Sequence, residues 1–338
     1  MAIQVAINGF GRIGRATLKV AATRPELEVV AVNDLGDIHN LAYLLKYDTA
    51  YGASGLTILV DNGHFVVNGK RIRFVQEKDP AKLPWRELGV DVAVESTGLF
   101  EEYEKAALHI KAGAKRVVIS APGKGDTALG KTVLVGVNEN EFDGCTVTSN
   151  GSCTTNATSP IAQIMSETIG VKKAMLNTVH AYTATQKLVD GPDAKDWRRG
   201  RAAAANIVPS TTGAAISVTE AVSGLAGKFD GIAMRVPVIT GSLIDFTFIA
   251  ARDTTVSEVN DTLKKAAGEE RWKKVFTVTE EQLVSSDIVG SPYASMADLS
   301  FTKVVGGDLV KVLAWYDNEM GYTHSLVEHI IKAGSSKV

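Results

Sequence analysis

One of the chain's two cysteines, Cys153, stands among small polar residues in the stretch SNGSCTTNATSP, residues 149–160. Its neighbours Ser152 and Thr154 are of the type that caps helix N-termini, and a helix-like run follows them. A thiol at a helix start lies at the positive end of the helix dipole, which favours the thiolate. Cys153 is therefore a candidate nucleophile, although a capped helix start with a small buried residue would give the same pattern.

A candidate base and candidate anion ligands follow Cys153 in the sequence. His180 lies 27 residues further on (180 − 153), at the end of the strand-like run MLNTVHAY. Its imidazole could hold a thiolate as an ion pair and later accept a proton, but a lone histidine is often a core residue with satisfied hydrogen bonds. Hydroxyl, amide and guanidinium groups at Thr183, at 210–213 (STTG) and at Arg235 are natural ligands of phosphate oxygens.

The N-terminus carries a glycine pattern of the kind that binds dinucleotides. The glycines Gly9, Gly11 and Gly14 of GFGRIG follow a strand-like segment and open a helix-like one. They permit a tight turn and a close approach of pyrophosphate to backbone amides. Asp34 comes 20 residues after Gly14 (34 − 14), at the end of the next strand-like run, where a carboxylate can accept from ribose hydroxyls. A glycine turn in an unrelated α/β protein is the alternative.

A dinucleotide cofactor and a reactive thiol together indicate one kind of chemistry. A thiolate can add to an aldehyde to form a thiohemiacetal, and loss of hydride to NAD+ then leaves a thioester. That thioester is activated toward a second nucleophile. We therefore predict NAD as the cofactor and Cys153 as the acyl carrier, with no metal.

Two kinds of architecture must position these residues. The first half alternates strand-like and helix-like segments, such as IQVAING, GRIGRATLKVAAT and LEVVAVND, which favours a parallel sheet covered on both faces. The piece LTILVDNGHFVVNGKRIRFVQE contains two Asn-Gly turns and predicts a small antiparallel insertion. Longer, partly alternating runs in the second half predict a mostly antiparallel sheet, and a helix-like stretch at about 319–333 ends the chain.

Length and composition limit the class of protein. The 338 residues are too many for one ordinary core, which predicts two domains. A formal net charge of −2 gives no support for a main role in binding nucleic acid or an anionic membrane. The N-terminal residues lack a basic, cleavable leader pattern, and no apolar run approaches the ~18 residues of a membrane span. Two cysteines make no disulfide framework and suit a reducing cytoplasm.

A polar stretch at about 184–206 is long for a connection in a compact enzyme. Long ordered loops are often functional, although a surface excursion is the simpler interpretation. Within it, Arg198, Arg199 and Arg201 add positive charge near the candidate phosphate ligands in sequence. For at least two of these arginines, a solvated position is an equally good interpretation.

Together these motifs make the whole chain resemble the phosphorylating, NAD-dependent glyceraldehyde-3-phosphate dehydrogenases. The matching stretches run in that family's order and cover nearly the full length; they are INGFGRIGR, VND, LLKYDTAYG, ESTGLF, VVISAP, SCTTN, HAYTATQ, DGP, IVPSTTGAA, MRVPV and WYDNEMGY. The resemblance implies oxidative phosphorylation of D-glyceraldehyde 3-phosphate, with inorganic phosphate and NAD+, to 1,3-bisphosphoglycerate and NADH. It also implies a cytoplasmic homotetramer.

The resemblance further implies an α/β fold with two domains. An N-terminal Rossmann dinucleotide-binding domain is expected at 1–151 plus 316–338, with the C-terminal helix returning to it. An α+β catalytic domain with a mixed, mostly antiparallel sheet is expected at 152–315. The stretch at 184–206 corresponds to the family's S-shaped loop, hereafter the S-loop, which packs between subunits near the cofactor.

Roles for single residues are implied in the same way. Cys153 is the implied nucleophile and His180 the implied base. The implied ligands of the attacking inorganic phosphate are Ser152, Thr154, Thr212 and Gly213. The implied ligands of the substrate's C3 phosphate are Thr183, Arg199 and Arg235. The implied NAD-binding residues are Gly9, Gly11, Arg12, Ile13, Gly14, Asp34, Lys78, Ser120 and Asn318.

Two departures from the family pattern and three rival functions qualify this interpretation. Ala157 stands where the family often has a second cysteine, and THSLVEHI replaces the usual run after Tyr322, which leaves helix packing there open. An erythrose-4-phosphate dehydrogenase of the same fold is the nearest rival. A cysteine acyltransferase or hydrolase with a nucleotide-like fold, and an RNA-binding protein, are rivals from other classes.

Overall fold

The computed structural model describes residues 2–337, which divide into two compact units. The first unit contains the chain up to 135, the segment 139–151 and the residues from 326 onward. The second unit contains 136–138 and 152–325. The domain boundaries expected from the sequence stay a prediction; in the structure, residues 316–325 group with the second unit.

The first unit is built on one large sheet and one short hairpin. In chain order its strands are β1 (Ile3–Asn8), β2 (Leu27–Asn33), β3 (Tyr47–Asp48), β4 (Gly52–Ala53), β5 (Ile58–Asp61), β6 (His64–Val67), β7 (Lys70–Val75), β8 (Val92–Glu95), β9 (Arg116–Ile119), β10 (Lys131–Thr132) and β11 (Val147–Ser149). The helices that accompany them are α1 (Arg12–Ala21), α2 (Ile38–Lys46), α3 (Tyr103–Ala106) and α4 (Leu108–Lys111).

The large sheet has the doubly wound order of dinucleotide-binding proteins. Its strands lie in the order β10-β11-β9-β8-β1-β2-β7-β6-β5, and the pairs from β10 to β7 are parallel. Val5, Ala6 and Ile7 of β1 are fully buried, as expected for a central parallel strand covered on both faces. The winding direction reverses between β1 and β8, and ligands bind at the carboxyl ends of strands at such a point.

The predicted antiparallel insertion is confirmed. Strands β5 and β6 pair in antiparallel register through the Asn62-Gly63 turn, and β6 pairs with β7 through Asn68-Gly69. Both turn residues have positive φ in each case, 44° and 71° in the first turn and 50° and 80° in the second. Asn-Gly is the favoured sequence for two-residue hairpin turns of this kind, because both positions tolerate that conformation.

The second unit is built on a single mixed sheet. Its strands are β12 (Val171–Ala181), β13 (Val208–Thr211), β14 (Phe229–Val236), β15 (Ser242–Ala250), β16 (Phe276–Thr279), β17 (Ser295–Val305) and β18 (Leu309–Tyr316). Its helices are α5 (Cys153–Thr168), α6 (Ala214–Ala221) and α7 (Val256–Ala267). The strands lie in the order β13-β14-β12-β15-β18-β17-β16.

The pairing in this sheet is mostly antiparallel, and the parallel pairs are β12–β14 and β16–β17. The predicted fold class, a Rossmann-type domain followed by an α+β domain with a mixed sheet, is therefore confirmed. Helix α5 packs against β12, β15, β17 and β18. Along β15, Ile244, Phe246 and Phe248 are buried and alternate with partly exposed residues. The sheet thus has one face covered by helices and one open face.

The chain ends in α8 (Met320–Ser335), whose residues from Leu326 belong to the first unit. The divergent run THSLVEHI lies inside this helix, so the departure from the family pattern does not interrupt it. Arg24 donates to Glu328 across 2.5 Å, and His329 lies 2.7 Å from the hydroxyl of Thr148. These contacts tie α8 to the turn that follows α1 and to β11.

Candidate active site

The glycine motif forms a tight turn between β1 and α1. Gly9 has φ +93°, and a Cβ there would lie 2.6 Å from the backbone of Ser96 and Thr97. A Cβ at Gly14 would lie 2.1 Å from the carbonyl oxygen of Gly9. Gly11 is different, because a Cβ there would meet nothing within 4 Å. Gly9 and Gly14 are therefore needed for the turn itself, whereas Gly11 leaves the start of α1 open to a ligand.

A cleft of about 280 Å³ opens at the carboxyl ends of β1, β2 and β8. Its lining residues are Asn8, Gly9, Gly11, Asn33, Asp34, Leu35, Glu77, Lys78, Ser96, Thr97, Leu99 and Phe100. Asp34 accepts from the backbone N–H of Phe10 at 2.7 Å and from that of Gly36 at 2.8 Å. These two bonds fix the carboxylate beside the glycine turn. An open helix start and a fixed carboxylate fit a dinucleotide.

The predicted NAD-binding residues do not all lie in this cleft. Gly9, Gly11, Asp34 and Lys78 line it, while Arg12, Ile13, Gly14 and Ser120 belong to the first unit outside the lining. Arg12 instead donates to Asp48 at 2.8 Å. Asn318 belongs to the second unit, where its side-chain oxygen accepts from Ser242 at 3.0 Å and from the Gly241 N–H at 3.2 Å. Its amide N–H₂ is the group left to bind a ligand.

Cys153 is the first residue of helix α5. Ser152 caps this helix by accepting from the Thr155 N–H at 3.0 Å, and the Thr155 hydroxyl accepts from the Ser152 N–H at 3.1 Å. Thr154 is buried, and its hydroxyl lies 3.0 Å from the hydroxyl of Tyr316. The two interpretations of the SNGSC stretch are therefore compatible, because the serine is the cap and the cysteine stands at the positive end of the helix.

His180 faces the thiol from the neighbouring sheet. Its Nε2 lies 3.3 Å from Sγ of Cys153. On the other side of the ring, Nδ1 lies 2.6 Å from Nη1 of Arg235 and 2.6 Å from the carbonyl oxygen of Ala181. His180 and Arg235 are register partners in the parallel pair of β12 and β14. The arginine can only donate and the carbonyl oxygen can only accept, so the two contacts of Nδ1 call for opposite tautomers of the neutral ring.

The electrostatics of the pair favour its neutral form in the free chain. Burial, together with the positive charge of Arg235, lowers the pKa of His180 to about 3. Burial also raises the pKa of the Cys153 thiol, although Arg235 and the helix amides act against this rise. The Cys153 residue is partly exposed, but protein atoms crowd its sulfur. The ion pair hypothesised from the sequence therefore requires a change in the burial of the pair or in the position of Arg235.

Among the S-loop arginines, Arg199 turns toward the site. Arg198 pairs with Asp196 at 3.0 Å and Arg201 pairs with Asp190 at 2.8 Å, both within the loop. Arg199 instead donates to the hydroxyl of Ser210 at 2.7 Å. Burial lowers the pKa of Arg235, and repulsion by the positive charge of Arg199 lowers it further by a smaller amount. Two guanidinium groups whose positive charges act on each other are suited to an anion.

The remaining predicted phosphate ligands lie at two further positions in the second unit. Thr212 accepts from the Ala214 N–H at 3.1 Å, and Gly213 precedes α6, where an added Cβ would meet nothing within 4 Å. Thr183 lies just beyond β12, with its hydroxyl 3.0 Å from that of Thr185. Neither a metal-binding cluster nor a helix long and apolar enough to cross a membrane occurs within residues 2–337.

A doubly wound sheet with a dinucleotide cleft and a cysteine–histidine pair at a helix start are the features of an NAD-dependent, thiol-using dehydrogenase. A family model described as "Glyceraldehyde 3-phosphate dehydrogenase, NAD binding domain" matches residues 3–103, and one described as "Glyceraldehyde 3-phosphate dehydrogenase, C-terminal domain" matches 152–318. The chain belongs to the glyceraldehyde 3-phosphate dehydrogenase family. Its cofactor is NAD.

Similar proteins occur in bacteria and in yeast. Glyceraldehyde-3-phosphate dehydrogenase of Clostridium pasteurianum is 48% identical over 329 residues, which cover 96% of each chain. That of Geobacillus stearothermophilus is 47% identical over 330 residues, 97% of each chain. Glyceraldehyde-3-phosphate dehydrogenase 1 of Kluyveromyces lactis is 46% identical over 332 residues, 97% of this chain and 99% of the relative.

Several residues that line the cleft were not expected from the sequence, among them Asn8, Asn33, Glu77, Thr97 and Leu99. A signal for two of them was present. Asn8 and Asn33 are polar residues at the ends of apolar strand-like runs, and the carboxyl ends of parallel strands meet at one edge of the sheet. Glu77 and Leu99 lie in connections whose positions depend on the whole sheet.

Proposed function

We propose that this chain oxidises D-glyceraldehyde 3-phosphate, with NAD+ and inorganic phosphate, to 1,3-bisphosphoglycerate and NADH. The observation that carries the proposal is the 3.3 Å approach of Sγ of Cys153 to Nε2 of His180 in a chain that matches both domains of the family. Family membership supports glyceraldehyde 3-phosphate and phosphate as substrates. It does not favour the erythrose-4-phosphate alternative.

In the proposed reaction, Sγ of Cys153 bonds to the aldehyde carbon, and the oxygen takes up a proton to give a thiohemiacetal. When NAD+ is bound, it supplies the acceptor for the hydride that this carbon loses. His180 takes the hydroxyl proton in that step, leaving a thioester. A phosphate oxygen then attacks the thioester carbon, and the sulfur leaves as a thiolate that takes back the proton from His180 to regenerate the thiol. Ser152, Thr154, Thr212 and Gly213 are the proposed ligands of this phosphate.

Arg235 couples substrate binding to the base in this proposal. We assign Thr183, Arg199 and Arg235 to the C3 phosphate of the substrate. An anion that draws Nη1 of Arg235 away releases Nδ1 of His180, which can then donate to the Ala181 carbonyl oxygen at 2.6 Å. A neutral ring with its proton on Nδ1 has its lone pair on Nε2, so Nε2 can then accept. Loss of the nearby positive charge also raises the pKa of His180 from about 3.

The test of this function is NADH formation, followed by absorbance, with glyceraldehyde 3-phosphate in the presence and absence of inorganic phosphate. We expect sustained turnover only when phosphate is present, because the thioester needs that nucleophile. D-erythrose 4-phosphate should give a lower kcat/KM. NADH formation without phosphate would indicate that water attacks the thioester. Cleavage or transfer of an acyl group without NADH formation would indicate a hydrolase or an acyltransferase.

Cofactor choice gives a further prediction that rests on Asp34. In NADP the 2′ position carries a phosphate, which would meet the Asp34 carboxylate, and Leu35 beside it offers no compensating charge. We expect kcat/KM to favour NAD by about ten- to a hundredfold for this reason alone. Asp34→Asn should recover part of that factor for NADP, because it removes the charge but keeps an oxygen for only one of the two backbone N–H groups that Asp34 accepts from.

The matched control is Asp37→Asn. Asp37 lies three residues after Asp34 and caps the N-terminus of α2, a position where asparagine caps equally well. This variant should leave the ratio of the two kcat/KM values unchanged. Equal use of NADP by the unaltered chain would contradict the assignment of Asp34 to the ribose.

We also propose a homotetramer in the cytoplasm. On the open face of the second unit's sheet, Met175, Ile232 and Phe301 are 56%, 46% and 52% exposed, and the S-loop exposes Leu188 and Trp197 at 81% and 86%. Such apolar surface is typical of an interface between subunits. Both cysteines are free thiols, which suits a reducing compartment. Light scattering in solution should give a mass of four chains; a monomer would contradict the proposal.

A further inference from the structure

The first unit contains a buried group of hydrogen-bonded polar side chains next to the cofactor cleft. We call Asn8, Asn33, Trp85, Glu95 and His109 the buried polar cluster. Their exposed fractions are 2%, 4%, 0%, 2% and 0%. Asn8 and Asn33 line the cleft, whereas Trp85, Glu95 and His109 do not. Placing an acidic residue and a histidine in a core is costly unless their hydrogen bonds are satisfied.

The geometry fixes the tautomer of the histidine. Nε1 of Trp85, which can only donate, lies 2.9 Å from Nδ1 of His109. Nδ1 is therefore the acceptor, and the proton of the neutral ring is on Nε2. That N–H points at Oε2 of Glu95 across 3.0 Å. Trp85 thus orients the ring, and the ring donates to the carboxylate.

The Glu95 carboxylate is held by neutral donors on both oxygens. Oε2 accepts from His109 and also from the amide of Asn8 at 2.6 Å. Oε1 accepts from the Thr97 N–H at 2.8 Å and from the Thr97 hydroxyl at 2.5 Å. The Thr97 hydroxyl in turn accepts from the Leu99 N–H at 3.0 Å. Glu95 therefore fixes the connection that follows β8, and Thr97 and Leu99 of that connection line the cleft.

The same network reaches the opposite wall of the cleft. The amide of Asn33 donates to Oδ1 of Asn8 at 2.6 Å and to the carbonyl oxygen of Glu77 at 2.9 Å. The Glu77 N–H donates back to Asn33 at 2.8 Å. Glu77 and Lys78 line the cleft on the side of β2 and β7. A continuous series of hydrogen bonds therefore joins the two connections across the ends of β2, β1 and β8.

We propose that Glu95 and His109 are positioning residues for NAD. They set the separation of the two connections that form the walls of the cleft, without touching the cofactor themselves. An apolar core would serve stability as well as a buried carboxylate. Only a carboxylate can accept from donors on three sides and so fix both walls. The inference rests on the proposed function, because it assumes that NAD binds in this cleft.

The test is the Kd of NAD, measured by calorimetry on the whole protein, in Glu95→Gln and His109→Leu. Each variant leaves buried donors unpaired, so we expect Kd to rise about tenfold. The KM for NAD should rise in parallel. The kcat at saturating NAD and the KM for glyceraldehyde 3-phosphate should change less than about twofold, since the machinery of the second unit is untouched. His109→Gln should restore Kd, because its side chain can both accept from Trp85 and donate to Glu95.

His329→Leu is the matched control. His329 is also fully buried in the first unit, and it bonds to Thr148 on β11, away from the cleft. The His329→Leu variant should have a lower melting temperature than the unaltered protein and the same Kd for NAD. Unchanged Kd in a folded Glu95→Gln or His109→Leu protein, or an equal rise in His329→Leu, would overturn the inference. Absence of NAD binding by the unaltered chain would instead count against the proposed function. If His109→Leu does not fold, Glu95→Gln, which keeps the shape of the side chain, decides alone.

Discussion

Cys153→Ser should lower the turnover of glyceraldehyde 3-phosphate by more than about 10³-fold. A serine hydroxyl is far less acidic than a thiol and needs a strong base close by to attack an aldehyde. His180 lies at the right distance, 3.3 Å from the sulfur, but its pKa of about 3 in the free chain makes it a weak base. Serine also forms an ester rather than a thioester, and an ester is less reactive toward phosphate. The rate of NADH formation measures the loss.

The chain offers a matched control in Cys145→Ser. Cys145 is also partly exposed and unbridged, but its sulfur donates to the Val147 carbonyl oxygen at 3.2 Å, and burial raises the pKa of its thiol. That variant should keep full activity. The Kd of NAD should be unchanged in both variants, because neither cysteine lines the cofactor cleft. More than a tenth of the normal turnover in Cys153→Ser would rule out covalent catalysis by this residue.

His180→Asn should lower kcat by about 10²–10⁴-fold, the range for a positioned acid–base group. Asparagine can fill part of the space but cannot accept the hydroxyl proton when hydride leaves. His329→Leu is the control, because His329 is another buried histidine whose pKa is lowered to about 3, yet its partners are Thr148 and Asn150. It should keep its kcat. Equal loss in the two variants would show that His180 acts through stability alone.

Alkylation of Cys153 by iodoacetamide tests the state of the pair separately from turnover. Because burial raises the pKa of the thiol and burial with Arg235 lowers that of His180, we expect a protonated thiol at neutral pH without substrate. The labelling rate should therefore still be rising at alkaline pH, with or without His180. A plateau below neutral pH that disappears in His180→Asn would establish the ion pair that the sequence suggested.

Local features were predictable from the sequence, and long-range neighbours were not. The glycine turn and Asp34 depend on a few consecutive residues and on one strand–helix–strand unit, so their spacing was informative. The contact between His180 and Arg235 spans 55 residues and exists because β12 and β14 pair in parallel register. No spacing rule predicts that pairing. Burial of the ring, together with this unforeseen neighbour, lowers the pKa of His180 and so disfavours the ion pair.

The S-loop arginines and the buried polar cluster also depend on long-range neighbours. Three arginines within four positions of one loop are equivalent in sequence, and only the folded loop turns Arg199 toward Ser210 while its neighbours pair with loop aspartates. No signal in the sequence indicates that Glu95 and His109 are partners, because they lie 14 residues apart in separate elements. Their partnership requires a sheet that brings β8 and the helix α4 together, since His109 lies on α4.

The route of helix α8 determines when this protein can mature during its own synthesis. The last turns of α8 supply contacts to residues near the start of the chain; Gly334, for example, packs so closely on Ile3 that a Cβ would lie 2.8 Å from it. The guanidinium of Arg116 likewise donates to the Ser336 carbonyl oxygen at 2.9 Å. Domains generally fold in order as they leave the ribosome. Here the unit that begins first also needs residues from 326 onward, so it cannot be completed before β18, a strand of the second unit's sheet, has been made.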